Sequence, residues 1–319
     1  MNVFNSTLFA VNREDHLIES QVIKKIKPEK MLMIGSGGCI ALSLKVIFPK
    51  LDLSIVDINP HQISHINNKI EAVKSQNFEE LNINIKNNLC LNQNGGFDRM
   101  FQKLRDLFIH HVAEDIDIIK FFDSDTHDNE RDRILVKWFS NENISLPFQE
   151  TFNEERIFNT FGNEATKHGD FGSYPRYMED KIICGLKKRS SYKNPFLQHI
   201  FLGYYKSVHA FPYMNANDKI ISPKIISGSV LDVKRISSFQ IVSLSNIFDW
   251  SSESLVKNHA KFLSQLKKGS VIIIRQINNH RNWIDIFSPW FEEDSDFDNY
   301  WQKHDRSMFY DHIRLFVRK

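Results

Sequence analysis

The stretch Met31-Leu-Met-Ile-Gly-Ser-Gly-Gly-Cys39 decides how this chain can fold. A short apolar run, typical of a buried parallel strand, leads directly into a turn rich in glycine. A second apolar segment, Leu53-Ser-Ile-Val-Asp57, follows it and ends in a carboxylate. Glycine lets backbone N–H groups approach a ligand closely, and an acidic residue about 20 positions later binds ribose hydroxyls. The pattern predicts a site for a nucleoside-containing cofactor.

The turn differs from the fingerprint of dinucleotide-binding proteins. That fingerprint requires a third glycine, for close packing of a helix beneath a pyrophosphate, where this chain has Ile40. S-adenosylmethionine (AdoMet) contains ribose and adenine but no phosphate, so it suits the turn better; the alternative is a turn that merely joins strand to helix. The predicted cofactor-binding residues in this region are Gly35, Ser36, Gly37, Gly38, Asp57, Ile58 and Asn59.

Composition narrows the class of protein. The 319 residues are 41% hydrophobic, enough for a large core, and the formal net charge of +2 argues against dedicated nucleic-acid binding. The three cysteines show no spacing typical of zinc ligands, and the acidic segment Asp123–Asp128 lacks the glycine and glutamate of a calcium loop. We therefore expect no metal. Without a signal-like leader or a long apolar run, the protein is expected to be cytoplasmic.

Apolar periodicity predicts an alternating arrangement of strands and helices in the first part of the chain. A leader helix over 15–25 precedes a strand at 31–34, a helix at 39–48, a strand at 53–57 and a helix at 60–74. Residues 1–74 should thus form the leader and the first half of a Rossmann-like domain. From 75 to 222 the pattern is helical and loop-like, which predicts an insertion or lid that forms the acceptor region.

Strands return in residues 223–319, which should complete the domain. We predict strands at 224–230, 240–244 and 270–274, a helix over 252–266, and a hairpin of two short strands that turns at Asp311-His312. Ligands in open α/β sheets bind beyond the carboxyl ends of the strands. Further adenosine contacts are therefore expected from Ser229 and Val230 after the third strand and from Ser245 and Asn246 after the fourth, with turn and capping chemistry as the alternative.

An ordered set of segments resembles one enzyme family. The segments are Ser36–Leu42, Val56–Gln62, Phe161–Thr166, Gly172–Tyr177 and Leu244–Trp250, and they are similar to the AdoMet:diacylglycerol 3-amino-3-carboxypropyltransferases, which begin betaine-lipid synthesis. The resemblance implies a class I AdoMet-dependent methyltransferase-like Rossmann sheet with helices on both faces and a large, mainly helical insertion. It also implies transfer of the 3-amino-3-carboxypropyl group of AdoMet to a hydroxyl of diacylglycerol or another lipid.

Such a transfer requires the methionine part of AdoMet to be held so that Cγ faces the acceptor. Arg275, at the end of a predicted strand, and Arg176, in a segment matching the family, are the candidates to bind the methionine carboxylate. The alternative for both is an ordinary surface ion pair. Tyr174, in the same matching segment as Arg176, belongs to the predicted catalytic set.

An alcohol acceptor also needs a general base within hydrogen-bond reach. Asp249, which follows the fourth predicted strand of the domain, is the first candidate, and His168 and Glu164 come next. Asp249 has an alternative role as a cap of the helix that starts near Ser252.

Two further functions stay open on the sequence alone. One is an AdoMet-dependent methyltransferase acting on a small molecule or lipid, and the other is a non-catalytic AdoMet- or lipid-binding protein. The aromatic segment from Asn194 to Met214 either packs the insertion against the sheet or lines an acyl-chain tunnel with peripheral membrane contact.

Overall fold

A twisted sheet forms the centre of the computed structural model, which describes residues 6–162, 167, 169–217 and 222–319. Its strands are β1 (Lys30–Ile34), β2 (Asp52–Asp57), β3 (Lys224–Ser227), β4 (Ile241–Ser243), β5 (Val271–Gln276), β6 (Phe291–Glu293) and β7 (His312–Arg318). They are ordered β3-β2-β1-β4-β5-β7-β6 across the sheet.

Strand β1 is flanked by two parallel neighbours, with Met33 opposite Ile55 of β2 and Ser243 of β4. Strands β3 and β5 continue the parallel part, whereas β7 runs antiparallel between β5 and β6. Met33 and Leu32 point into different core clusters, so apolar side chains cover both faces of the sheet. The α/β class predicted from the sequence is confirmed, and the sheet is Rossmann-like.

Three helices belong to the first half of this fold: α1 (His16–Ile26), α2 (Cys39–Ile47) and α3 (Pro60–Lys74). Asp15 caps α1 by accepting a hydrogen bond from the N–H of Leu17, and Lys27 ends this helix in the left-handed conformation. Asn59 caps α3, and Pro60 occupies its first turn, where a missing N–H costs nothing. These helices lie where the sequence pattern predicts them.

The segment from 75 to 222, predicted to be an insertion, is mainly helical in its described part. Its helices are α4 (Gly96–His111), α5 (Asp115–Phe122), α6 (Asp128–Phe139), α7 (Leu146–Thr151), α8 (Glu154–Phe161), α9 (Tyr174–Lys187) and α10 (Pro195–Phe201). Their apolar side chains share one continuous core with α1, α2 and one face of the sheet. No helix in the described ranges is both long and apolar enough to cross a membrane.

The last part of the chain contains α11 (Glu253–Leu263), α12 (Trp283–Phe287) and α13 (Ser295–His304). The hairpin predicted at Asp311-His312 is wrong, because β7 is one continuous strand that pairs with β5 and β6. Met308 has a φ of 63°, and the Asp311 carboxylate accepts a hydrogen bond from the N–H of Asn278 at 3.0 Å. These residues therefore belong to a connection that is held by its own contacts.

Candidate functional site

A cavity of about 390 Å³ opens at the carboxyl ends of the parallel strands. The described residues that line it come mainly from the N-terminal segment, the strand ends, α4, α8, α9, α11 and the turn before β7. They include Leu8, Phe9, Glu14, Ser36, Asp57, Ile58, Asn59, Phe97, Phe161, Tyr174, Gly228, Ser229, Val230, Ser245, Asn246, Trp250, Leu255, His259, Ile277 and Tyr310. The cavity thus lies where α/β sheets of this kind bind ligands.

The glycine turn and the carboxylate after β2 form one unit at this cavity. The N–H of Ser36 donates to Asp57 Oδ2 at 3.0 Å, and the N–H of Asn59 donates to Asp57 Oδ1 at 2.9 Å. A Cβ at Gly35 would lie 3.1 Å from Asp57 Oδ2, so the close approach depends on glycine. Each oxygen of Asp57 keeps further acceptor capacity. Burial raises the pKa of Asp57, and the backbone donors oppose that rise.

The N-terminal segment crosses over the glycine turn. Asn12 Oδ1 accepts a hydrogen bond at 2.9 Å from the N–H of Cys39, the first residue of α2. A Cβ at Gly37 would lie 2.6 Å from the carbonyl carbon of Val11. The helix N-terminus that binds pyrophosphate in dinucleotide sites is therefore occupied by protein groups. This arrangement favours a cofactor without phosphate.

Side chains of α3 hold this segment in place. Gln62 Oε1 accepts from the N–H groups of Leu8 and Phe9, each at 3.2 Å. Lys69 is fully buried, and its Nζ donates to the carbonyl oxygens of Ala10 at 2.6 Å and Gly37 at 2.7 Å. These bonds join the N-terminal segment, the glycine turn and α3 into one wall of the cavity.

The ends of β3 and β4 contribute the polar groups that the sequence predicts there. Ser229 and Val230 line the cavity beside β3, and Ser245 and Asn246 line it after β4. Ser245 has a φ of 54°, a conformation that non-glycine residues adopt rarely and that clusters at functional sites. Its hydroxyl donates to Glu14 Oε1. The structure thus brings all four residues to the same cavity as Asp57.

Arg275 does not line the cavity. Its guanidinium is fully buried and donates to both oxygens of Glu19, at 2.8 and 3.0 Å, while Glu14 Oε2 lies 3.3 Å from it. Burial alone would lower the pKa of Arg275, but the two carboxylates raise it above its usual value. Because these acceptors already occupy the guanidinium fork, the role predicted for Arg275 as an anchor for the methionine carboxylate is not supported.

Arg176 is also remote from the cavity lining. Its side chain is 82% exposed and pairs with Asp180 one helical turn along α9 at 3.2 Å. This is the surface ion pair that the sequence left open as the alternative. Tyr174, at the start of the same helix, does line the cavity and is 6% exposed. Glu164 and His168 lie outside the described residues.

Asp249 is buried behind the cavity wall. Asn279 Nδ2 donates to its Oδ1 at 2.6 Å, and the N–H of Ile277 donates to its Oδ2 at 3.0 Å. Burial raises the pKa of Asp249 to about 8, although these donors oppose the rise. Ser252 caps α11, so the capping alternative for Asp249 is not the one observed. The contacts of Asp249 hold the loop after β5 against the cavity, and its position gives no support to the role of general base.

The protonation of Asp249 has a measurable consequence for stability. Between its usual pKa near 3.8 and the folded value of about 8, the folded protein binds a proton that the unfolded chain has released. Asp249 should therefore contribute a decrease of about 1.4 kcal/mol per pH unit to the free energy of unfolding as pH rises through this window. Asp249→Asn should remove that part of the slope, measured by urea denaturation at about pH 5, 6 and 7.

Asp180→Asn serves as the control, because this carboxylate is exposed on α9. It should leave the slope as it is in the unsubstituted protein. Equal slopes for Asp249→Asn and the unsubstituted protein would show that Asp249 is already ionised in the folded state.

The insertion supplies an apolar wall opposite the strand ends. Phe97 of α4 and Phe161 of α8 lie with ring centroids 5.2 Å apart, and Phe161 is 4.5 Å from Trp250, which follows β4. Phe9 of the N-terminal segment stacks on Phe161 at 6.2 Å. This aromatic wall consists of Phe9, Phe97, Phe161 and Trp250, and Phe97 and Phe161 bring the insertion to the cavity.

The aromatic segment from Asn194 to Met214 has a different place. Helix α10, Phe211 and Tyr213 are buried in the core between the insertion and the sheet, and no described residue of this segment lines the cavity. Packing of the insertion against the sheet is therefore the role observed for this segment, and the alternative of an acyl-chain tunnel gains no support, because these apolar side chains already have protein partners.

Several polar residues at the cavity were not assigned roles from the sequence, and Glu14 and His259 are two of them. Glu14 is 5% exposed and accepts from Ser245 and, at 3.2 Å, from Tyr310 Oη. His259 is 4% exposed and lies on α11. Neither residue lies in a recognisable motif after a strand: Glu14 comes before α1, and His259 lies inside α11. Their placement depends on tertiary packing.

No protein-family model and no curated protein matches the chain. Its class is defined by the structure itself: an α/β protein with a Rossmann-like, mostly parallel sheet of seven strands. The cavity at the carboxyl ends of those strands joins a glycine turn, an acidic residue and an aromatic wall.

Proposed function

We propose that this protein binds AdoMet in the cavity and transfers its 3-amino-3-carboxypropyl group to an acceptor hydroxyl. The observation that supports the cofactor most directly is the unit of Gly35, Ser36 and Asp57, in which an acidic side chain with remaining acceptor capacity lies against an open glycine turn. Asn12 fills the position that a pyrophosphate would need, which favours AdoMet over a dinucleotide.

The strand arrangement is consistent with this proposal. An antiparallel β7 inserted between β5 and β6 is typical of class I AdoMet-dependent enzymes, and the mostly parallel sheet here has that arrangement. The ribose would lie at Asp57, with the adenine extending toward Ile58 and Val230. Ile58 is 55% exposed at the cavity edge, where it offers an apolar surface to a planar ring.

The carboxylates of the cavity wall can accept hydrogen bonds from a cationic ligand. Among the described lining residues they are Glu14 and Asp57; Glu14 is also paired with the buried Arg275 at 3.3 Å, and the guanidinium of the lining residue Arg13 is paired with Asp98 at 3.0 Å. AdoMet carries a sulfonium and an ammonium group. Strands β2 and β4 flank β1, so the site of Asp57 and that of Ser245 with Glu14 are separated by about two strand spacings, roughly 10 Å. We place the methionine ammonium near Glu14.

The acceptor would enter along the aromatic wall. Phe9, Phe97, Phe161 and Trp250 provide an apolar surface that excludes water and suits a lipid or other apolar alcohol. In the proposed reaction the acceptor oxygen forms a bond to Cγ as the Cγ–S bond breaks. Methylthioadenosine then leaves with the electron pair, and the hydroxyl proton passes to a base. The choice of this group over methyl rests on the resemblance at Phe161–Thr166, Gly172–Tyr177 and Leu244–Trp250.

The nucleoside product distinguishes the two transfers. AdoMet labelled with ¹³C either in the methyl group or in the aminocarboxypropyl chain would be incubated with the protein and a neutral-lipid extract. We expect methylthioadenosine as the product and the chain label on the acceptor, because the sulfur keeps its methyl group when Cγ is attacked. Chromatography with mass spectrometry measures both.

Incubations without protein and with Asp57→Ala correct for spontaneous breakdown of AdoMet. If S-adenosylhomocysteine is the enzymatic product and the methyl label reaches the acceptor, the protein is a methyltransferase. If AdoMet binds but neither label moves to any acceptor, the non-catalytic alternative is favoured.

A further inference from the structure

His259 presents an unused hydrogen-bond acceptor to the cavity. Its Nδ1 lies 2.8 Å from the carbonyl oxygen of Leu255, one turn earlier in α11. Because a carbonyl oxygen only accepts, Nδ1 must carry the hydrogen, and the neutral ring then keeps its lone pair on Nε2. Burial lowers the pKa of His259, and the bond to Leu255 only partly opposes this. The neutral ring is thus the form present near neutral pH.

No described residue donates a hydrogen bond to Nε2, although His259 as a whole is only 4% exposed and lines the cavity. Nε2 is not sealed off by protein atoms and borders the cavity, where it can accept a hydrogen bond from water or from a ligand. The ring is held in orientation by Leu255 and by the edge-to-face contact with Phe248 at 5.5 Å. This arrangement holds Nε2 in a fixed direction at the cavity, where a ligand can offer it a donor.

The neighbouring polar side chains after β3 already form hydrogen bonds within their own turn. Ser229 Oγ accepts from the N–H of Leu231 at 3.2 Å, and Asp232 Oδ2 accepts from the N–H of Ser229 at 2.8 Å. Helix α11 packs against this turn, so His259 lies on the side of the cavity where Val230 is found. That side adjoins Asp57, because β3 neighbours β2 and the N–H of Gly228 donates to the carbonyl oxygen of Asp57 at 2.9 Å, and in the function proposed above it receives the adenine.

We propose, resting on that function, that His259 Nε2 accepts a hydrogen bond from the exocyclic amine of adenine and makes the cavity selective for 6-amino over 6-oxo purines. A 6-oxo purine offers an acceptor oxygen where adenine offers N–H donors. Two acceptors that face each other repel. A 6-oxo purine would therefore lose the hydrogen bond to Nε2, and its oxygen would be removed from water without a donor. His259 is therefore a specificity determinant for the nucleoside and takes no part in the transfer itself.

The test compares 5′-methylthioadenosine with 5′-methylthioinosine by isothermal titration calorimetry. The unsubstituted protein should prefer the adenosine compound. His259→Phe keeps the ring shape but lacks the acceptor, and it should weaken adenosine binding by about 2- to 12-fold, the range of one neutral hydrogen bond. The preference over the inosine compound should shrink accordingly. His259→Gln, which retains an acceptor oxygen, should keep part of the preference.

His304→Phe is the matched control. His304 makes the same bond within its helix, from Nδ1 to the carbonyl of Tyr300 at 2.7 Å, but it is not a cavity residue. It should leave both affinities unchanged, and thermal unfolding without ligand checks that each variant folds. If His259→Phe binds both compounds with the same ratio as the unsubstituted protein, the inference is overturned. If the unsubstituted protein binds neither nucleoside, the proposed function fails and the inference fails with it.

Discussion

Asp57→Ala is expected to weaken binding of 5′-methylthioadenosine by roughly 5- to 160-fold, corresponding to about 1–3 kcal/mol for hydrogen-bonding groups left unpaired. The carboxylate lies at the end of β2. One of its oxygens accepts from the N–H of Ser36 in the glycine turn, and the other accepts from the N–H of Asn59. Removing it leaves the ribose hydroxyls without acceptors and also releases the turn. Gly35→Val should have at least as large an effect, because a Cβ there already lies 3.3 Å from the Cβ of Asp57. Calorimetric titration measures both.

Asp52→Ala is a matched control on the same strand. Asp52 begins β2 at the opposite edge of the sheet and pairs with Lys224 at 2.7 Å. Its removal should leave nucleoside affinity unchanged. Unaltered affinity in both Asp57→Ala and Gly35→Val, with folding confirmed by circular dichroism, would show that the nucleoside does not bind at this turn.

Arg275→Met is expected to be the most destabilising substitution, by about 3–5 kcal/mol in the free energy of unfolding. Arg275 is fully buried between Glu14 and Glu19, and its removal leaves two carboxylates in the interior without a cation. Methionine fills a similar volume, so the loss reports on charge more than on packing. Urea denaturation at about neutral pH gives the value by linear extrapolation.

Lys224→Met provides the comparison. The Lys224 side chain is 70% exposed, and the loss of its pair with Asp52 should cost less than about 1 kcal/mol. A further variant, Arg275→Met with Glu19→Gln, should recover part of the stability, because it removes one of the two buried carboxylates that have lost their cation. If Arg275→Met is no less stable than Lys224→Met, the buried network does not hold the leader helix to the sheet.

Local sequence was sufficient for the elements whose signals are short-range. The apolar run before Gly35, the cap at Asn59 and the proline at Pro60 predict β1 and the start of α3, and both are confirmed. The position of Asp57 relative to the turn follows as well, because parallel strands end at one edge of a sheet. The hairpin at Asp311-His312 was wrong, because an extended strand and a hairpin arm have the same alternating pattern over a few residues.

The candidate site shows the same division. Chain order alone determines that glycine, acidic and small polar residues follow successive strands, and so determines the class of fold and the edge at which its cavity lies. Only the tertiary structure decides which charged groups reach that cavity: Arg275 lies near the carboxyl end of β5 as expected, yet the carboxylate of Glu19, 256 positions away in the sequence, is bound to its guanidinium. Glu14 and His259 line the cavity, because the N-terminal segment and α11 pack beside it. Their partners are distant in sequence, and burial and ion pairing between such residues leave no periodic or motif signal along the chain.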